Sequence, residues 1–164
     1  MFQQRLYFFI LLLSVGGTSL LGQCPPQSLP FSEDFNAGVG CFTVIDGGSS
    51  SDTWVNAPIG GTTNTPDDID STAYMLADSD AAGSGGVVMR ETLESPYIDA
   101  SGTTGSLLLS FDHYFNAIGG DSIRVDVRDS AQGWLNLYIA TADVGSWISP
   151  ATTTLDLSPY AHDS

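Results

Sequence analysis

The chain has 164 residues and a formal charge of −15, set by 19 acidic side chains against four strong bases. Such a surface repels phosphate backbones and anionic lipid, which disfavours nucleic-acid binding and electrostatic membrane-surface binding. Without Arg5 the charge becomes −16 and the remaining strong bases are Arg90, Arg124 and Arg128, so most carboxylates are solvated or held by cations.

The chain begins MFQQRLYFFILLLSVGGTSLLGQC, with one cation at Arg5, an apolar run from Leu6 to Leu13, and small residues leading to Gly22. That layout predicts a secretory signal peptide over residues 1–22. The run is broken at Ser14, Gly16 and Gly17, short of the ~20 apolar residues of a spanning helix, so no membrane insertion is expected after leader removal. Residues 23–164 are expected to form one domain with one core. Cys24 stands where a lipidated cysteine would, but Gln23 before it is larger than the small residue that such processing prefers. Export to an oxidising compartment favours a Cys24–Cys41 disulfide; the alternative is two unpaired small hydrophobes.

No stretch of the mature chain keeps helical spacing for three turns, whereas period-two alternation recurs. Short runs appear in order at PFSEDF, CFTVID, DTWVN, AYMLAD, GVVMRETL, SLLLSFDHYF, DSIRVDVRD, WLNLYIA and TTTLDL, separated by Gly, Ser, Asn, Asp and Pro. In DSIRVDVRD, Ile123, Val125 and Val127 face one way and Arg124, Asp126 and Arg128 the other. SLLLSFDHYF puts Leu107, Leu109, Phe111, His113 and Phe115 on one face and reads as a central strand. IGGTTNTPDDIDST, residues 59–72, reads as a surface loop in which Asp67, Asp68 and Asp70 are solvated. About nine short strands at this spacing predict an all-β fold, a jelly-roll β-sandwich of two antiparallel sheets. The chain stops at DLSPYAHDS just after a strand-like run, so the domain is expected to be incomplete at its C-terminus, with further domains beyond it.

YMLADSDAAGSGG matches a calcium-binding EF-hand loop through Asp78, Asp80 and Gly83, then fails at Ala82 and at Met89, where a bidentate glutamate is required. Two nearby carboxylates with backbone carbonyls still suit calcium; a turn in which Asp78 and Asp80 cap backbone amides suits the same residues. FSEDF, read as a strand, points Glu33 and Asp34 to opposite faces, so at most one of them serves any site. Catalysis finds little support. The only histidines are His113, on a strand face, and His162, near the end; AGSGG is not a nucleophile elbow, and the mature glutamates are Glu33, Glu91 and Glu94 alone. Trp54, Trp134, Trp147, Tyr97 and Tyr114 serve either as core filler or as a stacking platform for sugars or peptides.

Taken together, FSEDF, FTVIDGGSSSDTW, AYMLADSDAAGSGG, TLESPYIDASG, LLLSFDHYF, DSIRVDVRD with Trp134, and TLDLSPYA occur in an order that resembles the cleaved-adhesin domains of secreted Bacteroidetes surface proteins, also called MAM-like or choice-of-anchor J modules. The resemblance spans residues 31–161. It implies a calcium-stabilised jelly roll that mediates adhesion, often beside a peptidase domain. It further implies calcium contributors at Glu33 and Asp34, at Asp78 with Asp80, and at Asp112, with an acidic segment expected downstream of the present end. The resulting expectation is a non-catalytic, secreted or cell-surface adhesion module whose cofactor is calcium and whose partner is an extracellular protein or glycan. The alternative is a carbohydrate-binding or accessory module of a larger secreted hydrolase or peptidase.

Overall fold

The computed structural model describes residues 5–9, 24–57, 73–79, 88–129, 133–146 and 148–161, with positions 5–9 and 129 in backbone alone. The described residues are all-β. Strands run β1 (Arg5–Phe9), β2 (Gln27–Ser28), β3 (Thr43–Asp46), β4 (Val55–Ala57), β5 (Tyr74–Leu76), β6 (Glu91–Glu94), β7 (Ile98–Asp99), β8 (Leu108–His113), β9 (Ile123–Asp129), β10 (Gly133–Ala140) and β11 (Ala151–Asp156). A single 3-10 turn, Ser158–Tyr160, follows β11. The predicted loop 59–72 lies outside the described residues, as do Trp147 and His162.

One sheet has the order β10-β9-β1-β6-β3, and β11-β8, β2-β7 and β4-β5 form two-stranded ladders. Alternation along β9 carries the sheet's buried face: Ile123, Val125 and Val127 are 4%, 0% and 0% exposed. Their β-branched side chains suit a pleated, packed surface. β9 pairs antiparallel with β10, and β6 with β3. Between β9 and β6 lies β1, parallel to both, with Leu6 opposite Val125 and Leu93. Residues that read in sequence as the start of a leader are therefore a central strand of this sheet.

The core forms where the inner side of this sheet meets the β8–β11 ladder. Ile98, Ala100, Leu107, Val127 and Leu157 are buried together, and Leu109, Leu135 and Leu137 pack against them. After β11 the chain closes back on the start of β8, with Leu157 N donating to Leu107 O at 2.7 Å and Leu107 N to Ser158 Oγ at 2.9 Å. β8 alternates as its sequence predicts, with Leu109, Phe111 and His113 half-buried. Its predicted central position is corrected: among the described residues β8 pairs only with β11, so its other edge carries no ladder.

His113 joins the two layers. Its Nε2 lies 3.1 Å from the Tyr138 hydroxyl, and its ring stands 5.0 Å from Phe111 and 5.5 Å from Tyr138. Burial lowers the imidazole pKa from 6.5, offset in part by the Ala151 backbone and the Asp112 carboxylate. The fold therefore holds the neutral ring. The stability it contributes is present above 6.5 and is lost as pH falls through the depressed folded value, because the unfolded chain takes up the proton first. We expect the melting temperature to fall from about pH 7.5 to about pH 5.5, and the fall to shrink in His113→Gln. Equal slopes for the two proteins in a pH series of thermal melts would contradict this.

Candidate functional site

Two groups of side chains stand out, an acidic turn near the N-terminal end of the domain and a mixed face on the large sheet. The predicted FSEDF strand is corrected: residues 31–34 have no regular structure, and a turn follows at 35–41. Phe35 has a φ of 58°, which is costly for a bulky residue and persists only where neighbours over-determine it. They do so here. Phe35 N donates to Glu33 Oε1 at 2.9 Å, and Asn36 N and Nδ2 donate to Asp34 Oδ1 and Oδ2 at 2.9 and 3.0 Å. Asn56 Nδ2 holds Phe35 O at 3.0 Å, and the Phe35 ring packs edge-on against Phe42 at 5.2 Å.

Glu33 and Asp34 therefore serve one turn together, instead of facing opposite sides of a strand. Local hydrogen bonds donated to these carboxylates by the amides two residues ahead compete with the ladder and win. Glu33 Oε2 lies beneath Gly40, where an added Cβ would approach it to 2.8 Å. Cys24 and Cys41, joined by a 2.08 Å S–S bond, close the loop that contains this turn.

The turn docks on the β4–β5 ladder through Asn56 and through Ala73 N, which donates to Asn36 Oδ1 at 2.8 Å. Asp78 is half-buried just beyond the opposite end of β5, and Asp80 lies outside the described residues. Asp112 belongs to a different ladder, exposed on β8, where it accepts the Thr152 hydroxyl. Among the described residues, no three His, Cys, Asp or Glu side chains come together closely enough to hold a metal ion. Glu33, Asp34, Asp78 and Asp112 thus do not by themselves fit a calcium shell.

The second group lies on the outward face of β9 and β10. Three cross-strand pairs stack along it: Trp134 opposite Arg128, Asn136 opposite Asp126, and Ile139 opposite Arg124. Trp134 and Ile139 are 40% and 54% exposed, and the Arg128 guanidinium sits 6.0 Å from the Trp134 ring centroid. Asp126, though on the outward face, is buried. Its Oδ1 accepts Arg124 Nη2 at 3.1 Å and Asn136 Nδ2 at 2.7 Å, which offsets the cost of burying a charge. Asn136 also holds Tyr138 O at 2.9 Å across a bulge between Asn136 and Tyr138. That bulge turns Tyr138 inward to His113 while returning Ile139 to the outward face. On β6, Glu94 has a pKa raised by burial and lowered in part by Arg128.

Two of the chain's four arginines thus share one sheet face with an exposed tryptophan. The sequence shows the Arg124-Asp126-Arg128 alternation but not its partners on β10, which depend on register. Buried Glu91 and Asp121 also went unread as site residues, since nothing local marks an acid as buried. Asp121 Oδ2 accepts Ile118 N at 3.2 Å, whereas among the described residues Glu91 Oε2 has no hydrogen-bond partner. No helix among the described residues is long and apolar enough to cross a membrane. Comparison with protein-family models, curated proteins and solved structures finds no match.

Proposed function

We propose that this chain is a non-catalytic adhesion module of an exported, cell-surface or secreted protein, built on a jelly-roll sandwich and stabilised by calcium at Asp78 and Asp80. The observation that carries the adhesion reading is the Trp134–Arg128 face: an exposed aromatic ring with a cation over it, on a rigid sheet, in a chain of charge −15. Aromatic and arginine side chains supply most of the binding energy of extracellular recognition surfaces. Calcium rests on the residue types of the Asp78–Asp80 turn and on the family resemblance; its proposed role is to order that turn. The second reading, a carbohydrate-binding accessory module, draws on the same face, because an exposed tryptophan beside hydrogen-bonding side chains suits a sugar ring.

One binding experiment tests these readings. The full chain is applied to panels of extracellular glycans and matrix proteins in about 10 mM calcium and in chelator. Trp134→Ala and the pair Asp78→Asn with Asp80→Asn accompany it. We expect retention on at least one panel, weakened about tenfold or more by Trp134→Ala. Retention should fall in chelator for the wild type and be insensitive to chelator in the aspartate pair. Retention on matrix proteins supports adhesion, and retention confined to glycans supports the accessory reading. Binding that Trp134→Ala leaves intact would remove this face from both.

A further inference from the structure

Register places every arginine of the chain on one side of the large sheet. Tyr7 pairs with both Glu94 and Asp126, so Thr92 and Glu94 on β6 share the outward face with Arg124, Asp126 and Arg128 on β9. Arg5 stands opposite Thr92 in that register. The β3–β6 pairing continues past its ladder, with Gly47 N donating to Arg90 O and Ser49 N to Val88 O, which puts the exposed Arg90 on the same face two residues before Thr92. The outward positions of β3, β6, β9 and β10 hold only two acids, Asp126 and Glu94, in a chain with 19. Arg90, Arg124 and Arg128 against those two leave the face at +1, before Arg5 is counted, on a chain of −15. Asp126 is bonded to Arg124, and Glu94 lies beside Arg128. Next to Arg90 the face carries an open groove of about 260 Å³ lined by Gly47, Gly48, Ser49, Val88 and Arg90. Its floor is bare backbone, because a Cβ at Gly47 would stand 2.8 Å from Arg90 O and one at Gly48 2.1 Å from Val88 O. Ser49 Oγ accepts Val88 N and keeps its own proton to donate.

We propose that this face binds a linear acidic polysaccharide, with carboxylates of the polymer paired to Arg90 and Arg128 and a sugar ring lying on Trp134. The proposal rests on reading the Trp134 face as the recognition surface. Local charge sets the sign of the guest. At physiological salt the screening length is about 8 Å, less than the roughly 10 Å between packed layers, so acids on the far side of the molecule are largely screened from a ligand on this one. Spacing sets the charge density of the guest. Arg124 and Arg128 stand roughly 13–14 Å apart along β9, and Arg90 lies two strand spacings, roughly 10 Å, to the side. Duplex nucleic acid, with a charge about every 1.7 Å, would carry most of its phosphates past these few cations and over acidic surface. A uronic-acid polymer carries one carboxylate per sugar or fewer, and the planar carboxylate suits the guanidinium fork. The exposed Trp134 ring and a groove without side chains on its floor suit flat sugar rings, whereas extended peptides add to the edges of sheets and not to their faces.

In the test, the full chain is titrated with hyaluronate and with the same polymer after its carboxylates have been reduced to alcohols, in about 0.15 M salt. Arg90→Gln, Arg128→Gln and Trp134→Ala accompany it; all three side chains are exposed, and thermal melts check that each variant is folded. Hyaluronate should bind at least about tenfold more tightly than the reduced polymer. Each arginine change should weaken hyaluronate about fivefold or more and leave the reduced polymer unaffected. Equal binding of the two polymers, hyaluronate binding insensitive to Arg90→Gln, or no hyaluronate binding overturns the proposal. So does poly-L-glutamate or duplex DNA that binds as tightly as hyaluronate, since the guest would then be any polyanion. If Trp134→Ala leaves hyaluronate binding intact, the reading of the Trp134 face fails and the proposal with it. If Trp134→Ala weakens both polymers while the arginine changes weaken neither, the face stands as a recognition surface and only the acidic guest fails.

Discussion

Cys24→Ser combined with Cys41→Ser is expected to lower the unfolding free energy by about 3 kcal/mol, a fall of roughly 6–12 °C in melting temperature for a domain of this size. The bond closes a sequence separation of 17 residues, and on the chain-entropy model its effect comes mainly from restricting the unfolded state. The folded loop has other ties: Asn56 to Phe35, Ala73 to Asn36, and the Phe31–Phe42–Phe35 ring contacts. These predict that the double variant keeps the native turn once folded. Urea unfolding of the wild type, oxidised and reduced, beside the double variant measures the effect. A reduced wild type that matches the double variant, both well below the oxidised protein, is the expected pattern. A difference under about 1 kcal/mol would show that the unfolded chain is already compact around this loop.

β9 was legible because Ile123, Val125 and Val127 alternate strictly with Arg124, Asp126 and Arg128, and all three apolar side chains are buried. The half-buried face of β8 was legible for the same reason. Its place in the sheet was not, since alternation reports faces and never neighbours. FSEDF misled because apolar residues flank a charged pair as they would in a strand. The turn is instead decided by side-chain-to-amide bonds and by the positive φ at Phe35, neither of which leaves a mark in composition. The Trp134–Arg128 face was the least legible element. It needs the β9–β10 register, and the bulge after Asn136 shifts that register by one residue midway along the strand. A strict period-two reading of WLNLYIA would put Tyr138 beside Trp134; the structure puts Ile139 there and sends Tyr138 to His113.

Gly48→Ala is expected to cost about 3 kcal/mol, although the site is exposed and the change adds one methyl group. The β3–β6 ladder ends at Asp46 opposite Glu91, yet the two chains stay together beyond it. Gly47 N donates to Arg90 O at 3.1 Å, Ser49 N to Val88 O at 2.8 Å, and Val88 N to Ser49 Oγ at 3.1 Å. Between those bonds Gly48 lies flat on the opposing backbone, where an added Cβ would stand 2.1 Å from Val88 O and 3.1 Å from Met89 Cα. Backbone atoms cannot rotate aside as a side chain can, so the two segments must separate. Three hydrogen bonds of about 1 kcal/mol each are then lost or stretched, beside a Met89 side chain that is 0% exposed. Gly105→Ala is the control: nothing lies within 4 Å of its added Cβ, and its effect should stay within about 0.5 kcal/mol. Urea denaturation gives the energies, and hydrogen exchange at Gly47 and Ser49 reports the local separation. If Gly48→Ala proves no more destabilising than Gly105→Ala, or if those two amides keep their protection, the close backbone approach is not what holds 47–49 against 88–90.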